Sequence, residues 1–387
     1  MRAQDELRVA IIGGGHAGRG LAGYLSLRGI DVSLYNRTLK NVDRIKDSDG
    51  LYIHGVVNGF ASIPLVTDNI AKAISGRQIL IISVPAQAHR YFAHKMAPYL
   101  ERGQSVLLMP GRTGGVLEFA NIVRQICDLD SILLGEAQTF SFVSRITSPD
   151  SVLISKIKNS VQVSAFPAID NHRYMGCLGR LPIPLVSTDN VLETSLNNVG
   201  AMLHPTPTIL CSGLLESRCG GYNHYHEGIS ESVGKMIEKI DAERVSVMKR
   251  FSLDAVSLKD WLRNSYDAQG RSLCECIGSI DAYDGVGCPS TIHHRYVLED
   301  IPTGLVPISN LASLCGLKTP TIDSVINIAC HLYDRDFWSE GRSLSDMGLD
   351  GMIPSEVVEF VEMGRLSYAY SSMADYGDFY QVEVDDT

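Results

Sequence analysis

The sequence VAIIGGGHAG, residues 9–18, decides the fold of this chain. Its four apolar residues predict a buried β-strand, and the glycine-rich turn after them leads into a helical pattern. Gly13 permits a tight turn, Gly15 lets a ligand approach the backbone, and Gly18 lets the helix pack against the strand. This order predicts a dinucleotide whose phosphates lie on free N–H groups at the start of the helix. The residues expected to contact it are Gly13, Gly15, His16, Ala17 and Gly18.

Short strand patterns alternate with helical spacing as far as about residue 180. This alternation predicts a parallel sheet with right-handed crossover connections. We expect Val152 to Phe166 to add strands at the far edge of the same sheet. The fold class is therefore α/β, with an N-terminal domain of the Rossmann type. The candidate strands are Arg8–Ile12, Asp31–Tyr35, Gln78–Val84, Ser105–Met109 and Ser131–Gly135.

Strand patterns fade after Pro182 and Pro184, and longer helical patterns replace them. One amphipathic helix is predicted across residues 229–240. A second helix begins at Thr319, an N-cap residue followed by Pro320. These patterns predict an all-helical second domain. The residues expected to face inward are Ile229, Val233, Met236, Ile237 and Ile240 in the first helix, and Ile322, Val325, Ile326 and Ala329 in the second.

The change of pattern sets the expected domain bounds. We expect a dinucleotide-binding domain over residues 1–186 and an all-helical domain over residues 187–364. The remaining tail, residues 365–387, is acidic and tyrosine-rich without periodicity. Two alternatives stay open for this tail: it is disordered, or it packs against a neighbouring subunit. The oligomeric state is open in the same way, with a homodimer among the alternatives.

The composition argues against several classes of protein. Hydrophobic residues make up 45% and charged residues 20% of the 387, which is ordinary for a globular chain. A net charge of −10 argues against a nucleic-acid binder, which needs clustered Lys and Arg. The apolar runs are too short to predict a membrane span or a signal peptide. The nine cysteines follow no metal or redox spacing, so we expect reduced thiols in a cytoplasmic protein.

The loop after the second predicted strand bears on the type of nicotinamide cofactor. Enzymes that use NAD usually carry Asp or Glu here, which binds the ribose hydroxyls. This chain carries Asn36, Arg37 and Thr38, so no carboxylate repels a 2′-phosphate. Arg37 can pair with such a phosphate, and Lys40 can assist. We therefore expect NADPH to be favoured over NADH; the alternative is that Arg37 is a solvated loop charge and either cofactor binds.

Several further segments, in one order along the chain, resemble the octopine/nopaline (opine) dehydrogenase family. Together they span nearly the whole chain except its end, and the match is densest in residues 295–302. Several motifs in the correct order are more specific than the glycine turn alone. The segments are SVPAQAH (83–89), PGRTGG (110–115), GEAQT (135–139), HP (204–205), YHEGI (225–229), RYVLEDIP (295–302), GLVP (304–307) and the stretch 316–326.

The resemblance implies a Rossmann domain followed by a helical substrate domain. It also implies the reaction, which is NAD(P)H-dependent reduction of the imine formed between an α-keto acid, often pyruvate, and the amino group of an amino acid. Val84, Pro85 and Ala86 match the strand end that borders the nicotinamide in this family. Members differ in the phosphate loop and in the donor pocket, so the resemblance fixes neither the cofactor nor the amino acid.

His204 and Asp300 are the candidate catalytic residues. Pro205 must end or kink the helix before it, and a histidine at such a break can point into a cleft. A packed or capping histidine is the alternative. The resemblance assigns the family's catalytic histidine to His204 and its orienting carboxylate to Asp300. Taken alone, Asp300 could equally be a helix N-cap that precedes Pro302.

A histidine bonded to a carboxylate suits this reaction. The carboxylate fixes the tautomer of the ring and stabilises the imidazolium. The amino substrate must lose a proton before it attacks the keto acid, and the reduced amine must gain one. A histidine whose pKa lies near the working pH can do both.

The remaining candidates are binding residues. Arg295 resembles the family's arginine that contacts the cofactor pyrophosphate from the helical domain, and an interdomain ion pair is the alternative. Polar residues at two strand ends are candidate contacts for substrate carboxylate or amide groups, although such residues often bond only the backbone. Four scattered histidines lack the spacing of a metal site. The candidate substrate-binding residues are Arg112, Thr113, Gln138 and Thr139.

Two other functions stay open at this point. One is a reductase of a 2-keto or 3-hydroxy acid on the same architecture, which works without an amine. The other is a non-catalytic protein that senses NADP. All three alternatives need a dinucleotide, so they differ only in what the second domain does with it.

Overall fold

The computed structural model describes residues 6–366 of the chain. The predicted tail over residues 365–387 lies outside the described residues, apart from Arg365 and Leu366. Twelve strands form two sheets within the described part. The strands are β1 (Arg8–Ile12), β2 (Asp31–Tyr35), β3 (Gly50–Gly55), β4 (Gly59–Ser62), β5 (Leu65–Thr67), β6 (Ile79–Ile82), β7 (Ser105–Leu108), β8 (Leu133–Ala137), β9 (Phe142–Ser148), β10 (Ser151–Ile157), β11 (Val161–Phe166) and β12 (Leu185–Ser187).

Helices lie between these strands and form nearly all of the second half. Past β12, the only strand pairing among the described residues is a single bridge between Asn223 and Gly287. The helices are α1 (His16–Leu27), α2 (Asp43–Asp47), α3 (Ile70–Ile74), α4 (His89–Met96), α5 (Gly115–Val123), α6 (Asn171–Leu178), α7 (Val191–Leu196), α8 (Val199–Leu203), α9 (Pro205–Leu210), α10 (Ser212–Arg218), α11 (Glu231–Arg250), α12 (Leu258–Tyr266), α13 (Leu273–Gly278), α14 (Arg295–Leu298), α15 (Val306–Leu314), α16 (Pro320–Tyr333), α17 (Phe337–Glu340) and α18 (Pro354–Met363).

The larger sheet has eight strands in the order β12-β11-β8-β7-β6-β1-β2-β5. Neighbouring strands are parallel, except that β11 runs antiparallel to β8. The connections reverse direction beside β1, and in doubly wound folds such a reversal opens a crevice at the carboxyl ends of the strands. The five strands predicted from the sequence are confirmed, with bounds that differ by at most two residues.

The smaller sheet has four strands in the order β4-β3-β10-β9 and packs against α1. It corrects the prediction that all of Val152 to Phe166 extends the larger sheet. Only β11 joins the larger sheet, beside β8, while β10 pairs with β3 and β9. The prediction was wrong here because apolar spacing identifies a strand without identifying its partner. One consequence is that β9 lies next to the glycine turn at the start of α1.

Two helices predicted from apolar spacing are confirmed. The N-cap of α11 is Ser230, whose hydroxyl accepts a hydrogen bond from the Val233 backbone N–H, and α16 begins at Pro320 after Thr319. No helix among residues 6–366 has both the length and the apolar character needed to cross a bilayer. The predicted inward-facing residues are buried except Met236, which is partly exposed: Ile229, Val233, Ile237, Ile240, Ile322, Val325, Ile326 and Ala329.

Two hydrophobic clusters hold these layers together. One lies between the larger sheet, α1 and the smaller sheet, and contains Ile11 and Ile53. The other begins on the opposite face of the larger sheet, passes through α5 and continues into the helical half. It contains Ile12, Phe119 and Ile322, all fully buried. Because this cluster is continuous, the two halves of the chain pack through apolar side chains as well as through the polar cavity described below.

The glycine turn brings β1, β6 and α1 unusually close. Gly13 has a φ of +119°, and a Cβ there would lie 2.3 Å from the Ser83 carbonyl oxygen. A Cβ on Gly18 would lie 1.7 Å from the Gly13 carbonyl oxygen. Nothing lies within 4 Å of a Cβ placed on Gly15. Two glycines therefore serve backbone packing, whereas the third leaves open space above the first turn of α1.

We predict that Gly18→Ala destabilises the protein by about 1–3 kcal/mol, because its methyl group must push α1 away from β1. Gly15→Ala is the matched control, and we expect it to change the free energy of unfolding by less than about 1 kcal/mol. Urea unfolding of both variants measures the difference. Equal stability of the two variants would contradict the packing role given to Gly18.

Candidate active site

A cavity of about 700 Å³ lies between the glycine turn and the helical half. Its volume is in the range of ligand pockets in enzymes. The walls come from the end of β6, the smaller sheet, α8 and α14, so that parts distant in sequence face one another. Residues that line it include Gly15, Val84, Lys158, His204, Tyr225 and Arg295.

His204 lies at the break between α8 and α9, as the proline after it predicted. Its ring lines the cavity and stacks on the ring of Tyr296, with centroids 4.1 Å apart and an interplanar angle of 12°. Nδ1 lies 2.7 Å from Oδ2 of Asp300. The other ring nitrogen, Nε2, lies 3.5 Å from the hydroxyl of Tyr225. The ring is thus held on one edge and one face, while Nε2 lies beside the Tyr225 hydroxyl, which also lines the cavity.

Asp300 is fully buried, and it does not cap the helical turn Ile301–Leu305 that follows it. Its second oxygen, Oδ1, lies 3.3 Å from Nη1 of Arg112 as an ion pair. Burial alone would raise the pKa of Asp300, but Arg112 and His204 outweigh it and lower the pKa below its ordinary value. The carboxylate is therefore ionised at neutral pH. The structure brings the two predicted catalytic residues into contact and gives the N-cap alternative no support.

Arg112 was a candidate substrate contact, and it does line the cavity. Its side chain is buried and is already bonded by Glu299 at 3.2 Å and by the Asn198 side chain at 3.2 Å, in addition to Asp300. A Cβ on Gly200 would lie 2.3 Å from Arg112 Nη1, so the glycine makes room for the guanidinium. The φ of Arg112 is +62°, an uncommon backbone state for this residue type. Arg112 thus pairs with Glu299 and Asp300 at the cavity wall, and a contact between Arg112 and a substrate stays a prediction.

The other candidate substrate contacts divide into two groups. Thr113 is fully buried, and its hydroxyl donates to the Ser195 carbonyl oxygen at 3.1 Å, so it bonds the backbone instead of lining the cavity. Gln138 and Thr139 do line the cavity. Gln138 donates from Nε2 to the Asn197 carbonyl oxygen at 2.9 Å, which leaves its own amide oxygen free for other partners.

The end of the cavity next to the glycine turn has the features that the glycine motif predicts for a dinucleotide site. Gly15 is the N-cap of α1 and no side chain caps this helix, so N–H groups of the first turn are available for a phosphate. Val84 and Pro85 line the cavity, whereas Ala86 lies beyond its edge, with its backbone N–H 3.4 Å from Glu299 Oε1. These features fit a bound dinucleotide.

One residue of the loop after β2 is hydrogen-bonded to the glycine turn. Asn36 Oδ1 accepts a hydrogen bond from the Gly14 backbone N–H at 3.1 Å, and its amide donates to the Thr38 carbonyl oxygen at 2.7 Å. Arg37 and Thr38 are exposed. The asparagine therefore supports the glycine turn, while Arg37 is the residue of this loop that remains free to meet a ligand from solvent.

Positive charge gathers around the start of α1. Burial, and then Arg145 and Arg295, lower the pKa of His16, so its imidazole is neutral at neutral pH. His16 Nδ1 accepts a hydrogen bond from the backbone N–H of Ile146 in β9 at 2.8 Å. Arg295 is half exposed and lies 3.7 Å from Glu299 of the same segment, so the interdomain ion pair considered from the sequence is not the contact it makes. Its charge faces the glycine turn across the cavity.

Lys158 is the functional candidate that the sequence analysis missed. It follows the last residue of β10, lines the cavity, and donates from Nζ to Thr139 Oγ1 at 2.8 Å. Burial, with help from Arg112 and Lys156, lowers its pKa to about 8. The signal was present, because lysines two residues apart on a strand lie on one face. It was missed because the sequence does not say that this strand leaves the larger sheet.

The histidines near His204 do not form a metal site. His224 Nε2 lies 3.2 Å from the Leu203 carbonyl oxygen, and burial, followed by His204, lowers the pKa of His224 to about 3. Among residues 6–366, no group of three or more His, Cys, Asp or Glu residues is arranged to hold a metal ion. His224 is thus a neutral neighbour of the His204 ring, with the two ring centroids 6.4 Å apart.

Two family descriptions match the chain, one for each half. Residues 187–333 match the alpha-helical domain of NAD/NADP octopine/nopaline dehydrogenase. Residues 8–125 match the N-terminus of NAD-dependent glycerol-3-phosphate dehydrogenase. An opine dehydrogenase of Arthrobacter sp. (strain 1C) is 34% identical over 354 residues, which make up 91% of this chain and 98% of that relative.

The chain belongs to the octopine/nopaline dehydrogenase family. It is therefore an NAD(P)-dependent oxidoreductase that acts on CH–NH groups, and the resemblance read from the sequence is confirmed. Octopine dehydrogenase in complex with NADH and agmatine shares the fold at a TM-score of 0.76 and 18% identity, covering 93% of this chain and 98% of that one. Yersinopine dehydrogenase with NADP⁺ bound shares the fold at a TM-score of 0.72 and 15% sequence identity. The match covers 93% of this chain and 99% of that one.

We predict that Lys158 reacts with amine reagents at unusually low pH. Its ammonium is disfavoured by burial and by two cations, so the neutral amine should accumulate above about pH 8, compared with about 10.4 for an ordinary lysine. Labelling with acetic anhydride at a series of pH values, followed by mass spectrometry of the peptide, should give a half-maximal rate near pH 8. A rate that rises only near pH 10 would show that the side chain is solvated.

Proposed function

We propose that this enzyme joins an α-keto acid to the amino group of an amino acid, with His204 as the catalytic residue and Asp300 as the residue that positions it. The observation that carries the proposal is the 2.7 Å contact between His204 Nδ1 and Asp300 Oδ2 at the wall of a cavity beside the glycine turn. The names of the relatives support it. Octopine dehydrogenase has been solved with NADH and L-arginine and with NADH and pyruvate.

The proton transfers follow from the tautomer of His204. Asp300 accepts a hydrogen bond from Nδ1–H, so Nε2 of the neutral ring carries a lone pair towards the cavity. Nε2 takes a proton from the ammonium group of the amino acid, and the free amine attacks the keto carbon. Loss of water then gives the imine. The resulting imidazolium is stabilised by Asp300 and returns its proton as the secondary amine forms.

The remaining groups bind and orient. A bound nicotinamide supplies the hydride that reduces the imine carbon. The stacked Tyr296 ring fixes the plane of His204, and Arg112 keeps Asp300 ionised without bonding Nε2. We assign Arg295 to the cofactor pyrophosphate, because its charge acts on His16 at the glycine turn. Gln138 and Thr139 face the substrate side of the cavity.

We also propose NADPH as the favoured cofactor. The loop after β2 carries no carboxylate, and Arg37 is exposed where a 2′-phosphate would approach. We infer the division into domains at residues 186 and 187, supported by the end of β12 at Ser187 and by the helical-domain match from 187. Unpaired cysteines throughout the described residues support a cytoplasmic location.

An assay of keto acids and amino acids in all pairwise combinations, called the substrate cross below, tests the reaction. NADPH oxidation should require both an α-keto acid and an amino acid, and the product should have the combined mass of the two substrates less one oxygen atom. Several keto acids crossed with the standard amino acids, with each substrate also tested alone, cover the alternatives. Oxidation with a keto acid alone would identify a simple keto-acid reductase, and tight NADPH binding without any turnover would identify a sensor.

We predict that His204→Ala lowers kcat by about two to four powers of ten, the span of a positioned acid–base group, without changing NADPH affinity. Asp300→Asn should also lose turnover, and the acidic limb of its kcat/KM profile should move to lower pH because the imidazolium loses its counter-charge. The double variant should be little worse than His204→Ala, since the pair acts as a unit.

Glu299→Gln is the matched control for the Asp300 variant. It removes charge from the other acidic partner of Arg112 but does not touch His204, so its pH profile should keep the wild-type shape. The same profile shift in both variants would mean that Arg112, and not the histidine, is the group being perturbed. Normal turnover in folded Asp300→Asn would remove the positioning role of Asp300.

We predict that Arg37→Ala raises the KM for NADPH much more than the KM for NADH, since only NADPH carries the 2′-phosphate that the guanidinium can bind. Initial rates with each cofactor in both proteins provide the measurement, and NADH serves as the internal control. A wild-type preference for NADH of tenfold, about 1.4 kcal/mol, would contradict the assignment of this loop.

A further inference from the structure

Lys158 is a cation of the cavity that has no acidic partner within the part of the chain that the structure describes. Lys158 Nζ makes a hydrogen bond to Thr139 Oγ1, which is a neutral acceptor, and forms no ion pair with residues 6–366. A half-buried ammonium usually pairs with a carboxylate, because burial removes water from the charge. Lys158 instead presents its remaining N–H groups to the cavity.

The surroundings of Lys158 add positive charge. Arg112 and Lys156 both act on it, and Lys156 lies with its Nζ 5.0 Å from the centre of the Tyr266 ring. Glu299 is the acidic residue in the cavity wall, and its Oε1 is already bonded by Arg112. Arg112 is balanced by Asp300 and Glu299, whereas Lys156 and Lys158 form no ion pair with residues 6–366. The wall formed by Arg112, Lys156 and Lys158, called the cationic wall below, therefore carries a surplus of positive charge that comes from its two lysines.

We propose that Lys158 binds a carboxylate group of a substrate, and that the cationic wall disfavours amino donors with a positively charged side chain. This deepens the proposed function and rests on it, because the α-keto acid and the amino acid each bring a carboxylate. Thr139 completes the subsite. Its oxygen accepts from Lys158, so its own O–H remains free to donate to the same carboxylate.

The second part of the proposal follows from the charges in the cavity. A guanidinium or ammonium side chain needs an acidic partner when it leaves water. Asp300 is paired with His204 and Arg112. Glu299 is paired with Arg112 through Oε1, and its Oε2, which accepts no hydrogen bond, lies 3.7 Å from Nε of Arg295. The charge of each carboxylate is therefore already balanced by cations of the chain. L-Arginine, with which octopine dehydrogenase has been solved, carries a guanidinium side chain of this kind.

Substitution of Lys158 tests the carboxylate contact. Lys158→Met keeps nearly the length of the side chain and removes its charge. The KM of the substrate whose carboxylate Lys158 binds should therefore rise about 10- to 100-fold at pH 7, because a charge-assisted hydrogen bond is lost. Lys158→Arg should retain most of the affinity. Lys72→Met, an exposed lysine on α3 outside the cavity, controls for the change in net charge. An unchanged KM for both substrates in folded Lys158→Met would overturn the proposal.

Two measurements identify whether Lys158 binds the carboxylate of the keto acid or that of the amino acid. The KM of the keto acid and the KM of the amino acid are measured separately, each with the other substrate saturating, and the larger increase marks the partner of Lys158. Binding of oxamate, an unreactive keto-acid analogue, to the enzyme–NADPH complex requires no turnover. If the substrate cross finds no reaction but oxamate binding depends on Lys158, the proposed function fails and the carboxylate subsite stands.

Wild-type enzyme alone tests the exclusion of cationic donors. L-Arginine and L-citrulline have nearly the same shape, but only arginine carries a charged side chain. With the same keto acid, kcat/KM for citrulline should exceed that for arginine at least tenfold, and raising the salt concentration should narrow the gap. Equal values, or a preference for arginine, would overturn the exclusion regardless of how the Lys158 variants fold.

Discussion

Asp300 is a fully buried carboxylate held between Arg112 from the sheet half and His204 from the helical half. A buried charge is tolerated only when it is paired, and removing one partner of such a pair typically costs about 3–5 kcal/mol. The geometry of the site therefore depends on the seam between the halves. If the helical half moved relative to the sheet, Asp300 and His204 would move together, but Asp300 would lose Arg112 and with it part of the positive charge that keeps the carboxylate ionised.

This constraint explains features that otherwise look unrelated. Arg112 adopts an uncommon backbone state, and Gly200 lacks a side chain where a Cβ would meet the guanidinium. Both features allow Arg112 to reach Asp300. Residues in strained backbone conformations tend to occur at functional sites. The continuous apolar cluster across the seam provides the rigidity that holds the pair in register. The proposed catalytic pair and the packing of the two halves thus rely on one set of contacts.

The sequence predicted the parts of the fold that local pattern determines. The glycine turn, the five strands and the faces of α11 and α16 follow from residues close together in the chain. The contact of His204 with Asp300 came from the resemblance, since 96 residues separate them. The smaller sheet and the antiparallel β11 were not predicted, because strand pairing depends on distant partners. The pairing of Arg112 with Glu299 and Asp300, and the position of Lys158 in the cavity, were missed for the same reason: both depend on residues of other elements.

In the proposed mechanism, Asp300 fixes the tautomer of His204 so that Nε2 is unprotonated and can accept a proton beside the Tyr225 hydroxyl in the cavity. ¹⁵N NMR of histidine-labelled enzyme, recorded where the imidazole of His204 is neutral, reads this directly, with His204→Ala used to assign the signal. The account predicts a protonated, strongly hydrogen-bonded Nδ1 and an unprotonated Nε2 for His204. His224, whose Nε2 bonds the Leu203 carbonyl oxygen, should show the opposite tautomer in the same spectrum. A His204 signal with its proton on Nε2 would contradict the account.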